Sequence, residues 1–135
     1  MRRRSRPAAV RARDDRAAAV VDFVLVTMLL LPLVLGVLQL GLVLYVRNTL
    51  ASAASEGARY AATLGHRPGD GSARARSQVA GVLSGRYAGE IRSLPASIDG
   101  APAVEVRISA HVPALGIGGP GVSFTVAAHA VREQR

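Results

Sequence analysis

The sequence predicts an α+β protein held in a membrane by one N-terminal helix. Residues Phe23 to Val46 form an unbroken run without a charged side chain. Apolar or small residues then recur at helical spacing as far as Leu64. Beyond residue 100, two stretches alternate apolar and polar residues, as half-buried strands do. These observations give a long transmembrane helix continuing outside the membrane, a second shorter helix and a small antiparallel sheet. In residue terms they divide the chain into a basic cytoplasmic tail over 1–16 and a transmembrane helix over 17–46. An extracytoplasmic extension of that helix follows over 47–64, then a small α+β domain over 65–135.

The uncharged run is the firmest element. As a helix it is about 36 Å long at roughly 1.5 Å per residue, enough to cross a hydrocarbon core of about 30 Å. A core helix of a small soluble domain is amphipathic, whereas this run is apolar on every face. Pro32 is expected to kink the helix or loosen a hydrogen bond, which membrane helices tolerate. Gly36 and Gly41 are five apart, so the close-packing spacing of four is not met. Gln39 is polar at membrane depth and favours a hydrogen-bonded neighbour or a wet groove. Asp22, at the start of the run, is costly if charged and unpaired. It therefore sits at the wet interface, paired with Arg16 or hydrated, or finds a partner on another subunit.

Charge sets the orientation. The chain has 135 residues and a net charge of +8, and all 17 basic residues are arginine. Seven arginines precede Ala17 against only Asp14 and Asp15, so five of the eight net charges lie in that tail. A basic run can bind nucleic acid, but no aromatic residue is interleaved with this one and it abuts a span. The expected role is topological: arginines beside a first span keep that end in the cytoplasm and send the C-terminus out. Attraction to anionic membrane lipid accompanies it. The predicted location is thus the cytoplasmic membrane, single-pass, N-terminus inside, with no nucleic-acid partner.

Two signal-peptide readings compete with a retained anchor. Ala51-Ser52-Ala53 resembles a small-residue cleavage site, but the apolar run exceeds the usual h-region of about 7–15 residues, and Arg47 and Asn48 intervene. Arg2-Arg3 resembles a twin-arginine signal without the apolar residues that follow one. A retained anchor is the favoured expectation.

Outside the span fewer than ninety residues remain, with little aromatic mass to build a core. Such a domain gains little from burial and is expected to lean on other subunits. With no cysteine, neither a disulfide nor a thiolate metal site is available. In the helical extension, Leu50, Ala53, Ala54, Ala58, Ala61 and Leu64 mark the apolar face. Glu56 and Arg59, three apart, are placed to pair as a solvated surface pair. The glycine- and proline-rich stretch 65–71 breaks the helix. Ser72 is then expected to cap a second helix, with Val79, Val82, Leu83 and Tyr87 as its apolar stripe. Val104, Val106, Ile108, Ala110 and Val112 alternate with polar residues, and so do Val122, Phe124, Val126, Ala128 and Ala130 beyond a Pro/Gly-rich loop. The two runs are expected to pair antiparallel, each with one apolar face on the helices. Ile91 to Ile98 adds a weaker strand interrupted by Pro95.

Candidate chemistry is sparse. His111 and His129 fall on polar strand faces and His66 in a turn, and no third metal ligand accompanies them, so they read as surface histidines. The loop Gly116 to Gly121 lacks the Lys-Ser/Thr ending of a phosphate loop and joins two strands. No catalytic, cofactor-binding or metal-binding set is expected, and the chain is read as not an enzyme.

A further pattern runs through the helix: Ala17-Ala18-Ala19-Val20-Val21-Asp22-Phe23, then Leu31-Pro32-Leu33 and Leu38-Gln39-Leu40-Gly41. Tyr45-Val46-Arg47-Asn48-Thr49-Leu50 follows, and then Ala54 to Ala62. In this order and spacing, Arg16 to Ala62 resembles the TadE-like family, minor pseudopilins of the tight-adherence (Tad/Flp) pilus system. The resemblance implies a pilin-like subunit in the cytoplasmic membrane, trimmed by a prepilin peptidase and passed into pilus assembly. Such proteins carry a glycine before the cut and a glutamate five residues after it. Taking Asp22 as that acid places the cut between Ala17 and Ala18, with Phe23 following and alanine standing where the pattern has glycine. The implied partners are membrane lipid, other pseudopilins or pilin subunits, and pilus platform proteins. Asp22, Gln39, Arg47, Glu56 and Arg59 are the candidate assembly residues. A signal-anchored extracytoplasmic binding domain with no pilus role is the alternative.

Overall fold

The structure, a computed structural model, describes residues 8–116 and 119–133, with side chains from residue 15 onward. It contains helices α1 (Ala8–Ala62) and α2 (Asp70–Val82), followed by strands β1 (Ala88–Ile98), β2 (Ala101–Val112) and β3 (Val122–Val131). The predicted order of a long helix, a shorter helix and a small antiparallel sheet is therefore the order found. Arg2, Arg3, Arg4 and Arg6 of the basic tail lie outside the described residues, as do residues 117 and 118 of the predicted loop.

The chain divides into two compact units, Met1–Leu38 and Gln39–Arg135. In the first, the described residues are helical, and from Val20 to Leu38 the large apolar side chains other than Leu35 are exposed. Pro32 lies inside the helix without ending it. A window of this helix is long and apolar enough to cross a membrane and is not buried within the protein.

The second unit contains the core. Its sheet is a three-strand meander in the order β1-β2-β3, antiparallel throughout. Central β2 buries Val104, Val106, Ile108, Ala110 and Val112 on one face, the alternation its sequence predicts. On α1, Val46, Leu50, Ala53, Ala54 and Ala58 join the same cluster, and Leu42 and Val43 pack partly against it. The helix from Leu42 onward is thus a structural part of the folded head.

β1 is longer than its sequence advertises. Pro95 sits within it opposite Val104, tolerated because β1 is an edge strand and a missing N–H on the open side breaks no ladder bond. The hairpin to β2 turns through Asp99 and Gly100, with φ of 49° and 81°. Positive φ at both central residues is the type I′ turn that follows strand twist, and Asp-Gly suits it.

Several expectations are corrected. α1 stops at Ala62, so Leu64 falls beyond it and is exposed. There Glu133 holds the helix end: its N–H donates to the Ala62 carbonyl at 3.0 Å, and its Oε2 accepts from the Leu64 N–H at 3.3 Å. Ser72 does not cap α2. Gly69 is the N-cap, Ser72 lies one turn in and donates to the Gly69 carbonyl, and Asp70 Oδ2 accepts from the Arg67 N–H at 2.8 Å. A carboxylate in the first turn also favours the positive helix end, which explains a start at Asp70. Val82 is exposed and Leu83 buried, because the backbone turns extended at Leu83 and carries it, with half-buried Tyr87, to the core by a loop.

Candidate assembly surface

The residues expected from the sequence to serve processing and assembly all lie on α1. Ala17 and Ala18, and Asp22 and Phe23 about one turn on, are helical and exposed in the first unit, Phe23 by 71%. Asp22 makes no ion pair with Arg16 among the described residues. The two are six apart, which places them on different faces of the helix.

Gln39 is not simply a polar group at membrane depth. Its Nε2 donates to the Pro113 carbonyl at 3.2 Å, and its Oε1 accepts from the Leu115 N–H at 2.7 Å. The amide therefore saturates two backbone groups of the β2–β3 connection from one helical position. The hydrogen-bonded neighbour that its polarity calls for is this loop, more than seventy residues on in sequence.

Glu56 does not pair with Arg59. It meets Arg74 of α2 at 3.1 Å, and the Arg74 guanidinium also lies 5.8 Å over the Tyr60 ring. The helices approach closely enough to allow this because Gly57 and Gly71 face each other. A Cβ on Gly57 would lie 2.5 Å from the Gly71 carbonyl oxygen, and one on Gly71 would lie 2.8 Å from the Gly57 oxygen. Sequence reasoning missed this contact. A glycine inside a helix costs about 1 kcal/mol relative to alanine, and at Gly57 that cost was the available signal of close packing.

Arg47 and Arg59 are exposed on α1, and Arg59 borders a shallow hollow with Ala62, Thr63 and Glu133. A second hollow lies between α1 and α2, lined by Tyr45, Asn48, Thr49, Gln78 and Val82. Opposite the buried face of this helical stretch, Leu40, Leu44 and Tyr45 remain exposed by 60%, 49% and 53%. Elsewhere the histidines are engaged locally. His111 bonds Ser123 at 2.9 Å, His129 lies 3.5 Å from Glu105, and His66 packs at a tilt against the Tyr60 ring and bonds Thr63. No group of three or more His, Cys, Asp or Glu placed to hold a metal occurs among the described residues.

One helix that is apolar on all faces from Phe23 to Leu38 and packed into a small α+β head from Leu42 onward defines an α+β protein with a candidate membrane span. Residues 17–59 match the family described as TadE-like protein, the family that the helix sequence resembles. The matched residues all lie within α1. No curated protein and no solved structure matches the chain.

Proposed function

We propose that this protein is a minor pseudopilin that contributes to assembly of a Tad/Flp-type pilus and acts by association, not catalysis. The observation that carries this reading is where the family match falls. Residues 17–59 lie wholly within α1, so what the chain shares with the family is the helix and not the sheet. An element shared in that way serves insertion and packing. The arginine tail supports a cytoplasmic N-terminus in the cytoplasmic membrane, with the head outside.

In this reading a prepilin peptidase cuts between Ala17 and Ala18, and the new amino group on Ala18 meets the Asp22 carboxylate of a neighbouring subunit. An unpaired charge in low dielectric is expensive, so only the register that pairs them is stable. The partners are pilin or pseudopilin subunits and the platform proteins, with Arg47 and Arg59 free on the helix surface for contacts near the membrane. A signal cut after Ala53 is disfavoured, since it would strip Val46, Leu50 and Ala53 from the core.

The test is intact-mass measurement of membrane-extracted protein from cells with and without the peptidase, together with pilus output for Asp22→Ala. A mass loss corresponding to residues 1–17, present only with the peptidase, and reduced piliation are expected. Unchanged mass and unchanged piliation would reject the Asp22 mechanism. Normal pili in a deletion strain would favour a signal-anchored binding domain instead.

A further inference from the structure

We propose that the hydrocarbon boundary of the span lies at Gln39, not at Val46 where the apolar run ends, and that the β2–β3 loop at residues 113–116 rests on lipid headgroups there. The inference needs only that α1 crosses a membrane and is independent of the pilus reading.

Three observations place the boundary. From Leu42 onward one face of α1 is part of the core formed with β2, so this stretch is bound to a sheet with charged side chains on its other face, Arg107 among them. Next, Gln39 is bonded to the backbone of an irregular loop whose Pro113, Leu115 and Gly116 are exposed. Irregular backbone exposed to lipid does not occur in the hydrocarbon region, because its polar groups lack partners there. The loop therefore lies outside that region, and Gln39 is bound to it. Finally, the exposed stretch that remains, Val20 to Leu38, carries Asp22 as its one charged residue and is about 28 Å long at roughly 1.5 Å per residue, close to a hydrocarbon thickness of about 30 Å.

The groups around this level suit a headgroup layer. Leu115 is exposed by 41% beside Gln39, and Leu40, Leu44 and Tyr45 are exposed on the helix just beyond it. Tyrosine favours that depth, and Arg47 follows within reach of lipid phosphates. Measured back from Gln39, Asp22 lies about 25 Å away along the helix, inside the far edge of the core. A carboxylate at that depth requires a partner.

The chain has no cysteine, so single cysteines report cleanly. Full-length protein with Leu33→Cys, Val37→Cys, Leu44→Cys or Tyr45→Cys is reconstituted in phosphatidylethanolamine/phosphatidylglycerol vesicles, with a membrane-impermeant thiol reagent on both sides. Leu44→Cys and Tyr45→Cys are expected to react while Leu33→Cys and Val37→Cys do not. A fluorophore on Leu115→Cys is expected to be quenched by headgroup-labelled lipid and not by lipid labelled at the chain terminus. Adding Gln39→Leu should abolish that quenching with far-UV circular dichroism unchanged. Protection of Leu44→Cys and Tyr45→Cys equal to that of Leu33→Cys overturns the proposal. So does a Leu115 probe that neither lipid quenches. Release of the wild-type protein by alkaline carbonate would instead reject the membrane span itself.

Discussion

The two stretches of α1 on either side of Gln39 are made from nearly the same residue types and meet different surroundings. Before Gln39, leucine and valine are exposed around the helix. After it, Val46 and Leu50 are fully buried while Leu40 and Leu44 on the other face stay exposed. Residue type alone does not distinguish them. What separates them is the sheet, whose apolar face needs a cover and takes one face of the second stretch.

This comparison breaks most sharply by cutting. A fragment of residues 39–135 retains Leu42, Val43, Val46 and the Gln39 clamp, whereas 47–135 loses all of them. With about 1.5–3 kcal/mol for burying one such side chain, the shorter fragment should show no cooperative urea transition where the longer one does. Equal stability would mean the second stretch is not part of the head. Next in size, Leu50→Ala should cost about 2–5 kcal/mol as a fully buried truncation. Leu33→Ala should leave the same urea transition in place.

Smaller effects sharpen where the head is held. Gly57→Ala should cost about 1–3 kcal/mol, since the added methyl forces α1 and α2 apart. The loss should read as a lower denaturation midpoint with an unchanged slope. Gln39→Leu removes the partners of the Pro113 carbonyl and the Leu115 N–H, both exposed groups that water can satisfy, for about 0.5–1.5 kcal/mol. Faster amide exchange at Leu115 is the specific readout. Arg74→Ala breaks a half-exposed ion pair and an exposed contact over the Tyr60 ring and should cost about 1 kcal/mol or less, shrinking further in high salt.

The sequence made the periodic elements legible. Val104 to Val112 and Val122 to Ala130 alternate without interruption, and both strands and their pairing follow from that. The uncharged run likewise declares a helix able to span a membrane, and its residue order carries the resemblance to the TadE-like family that the match over residues 17–59 bears out. What stayed hidden depends on residues distant in sequence. Glu56 has Arg59 within local reach, yet the packing of α2 supplies Arg74. Gln39 asks for a partner, but nothing local says that it is the backbone at Pro113 and Leu115. The α2 start was misread because Ser72 is a good cap residue while the turn at Arg67 and Asp70 already closes the helix end. One local signal was available and missed: Asp99-Gly100 between apolar runs marks a hairpin, which would have raised β1 from a weak strand to a full one despite Pro95.

Gln39 and Glu133 also have a mechanical consequence. The helix from Gln39 to Ala62 is about 35 Å long at roughly 1.5 Å per residue, and β2 from Ala101 to Val112 is about 36 Å at roughly 3.3 Å per residue. Gln39 fastens the loop leaving β2, and Glu133, past the end of β3, fastens the far end of the helix. Helix and sheet are therefore joined like a beam pinned at both ends. For the helix to slide by one turn along the sheet, the bonds at both ends would have to break together.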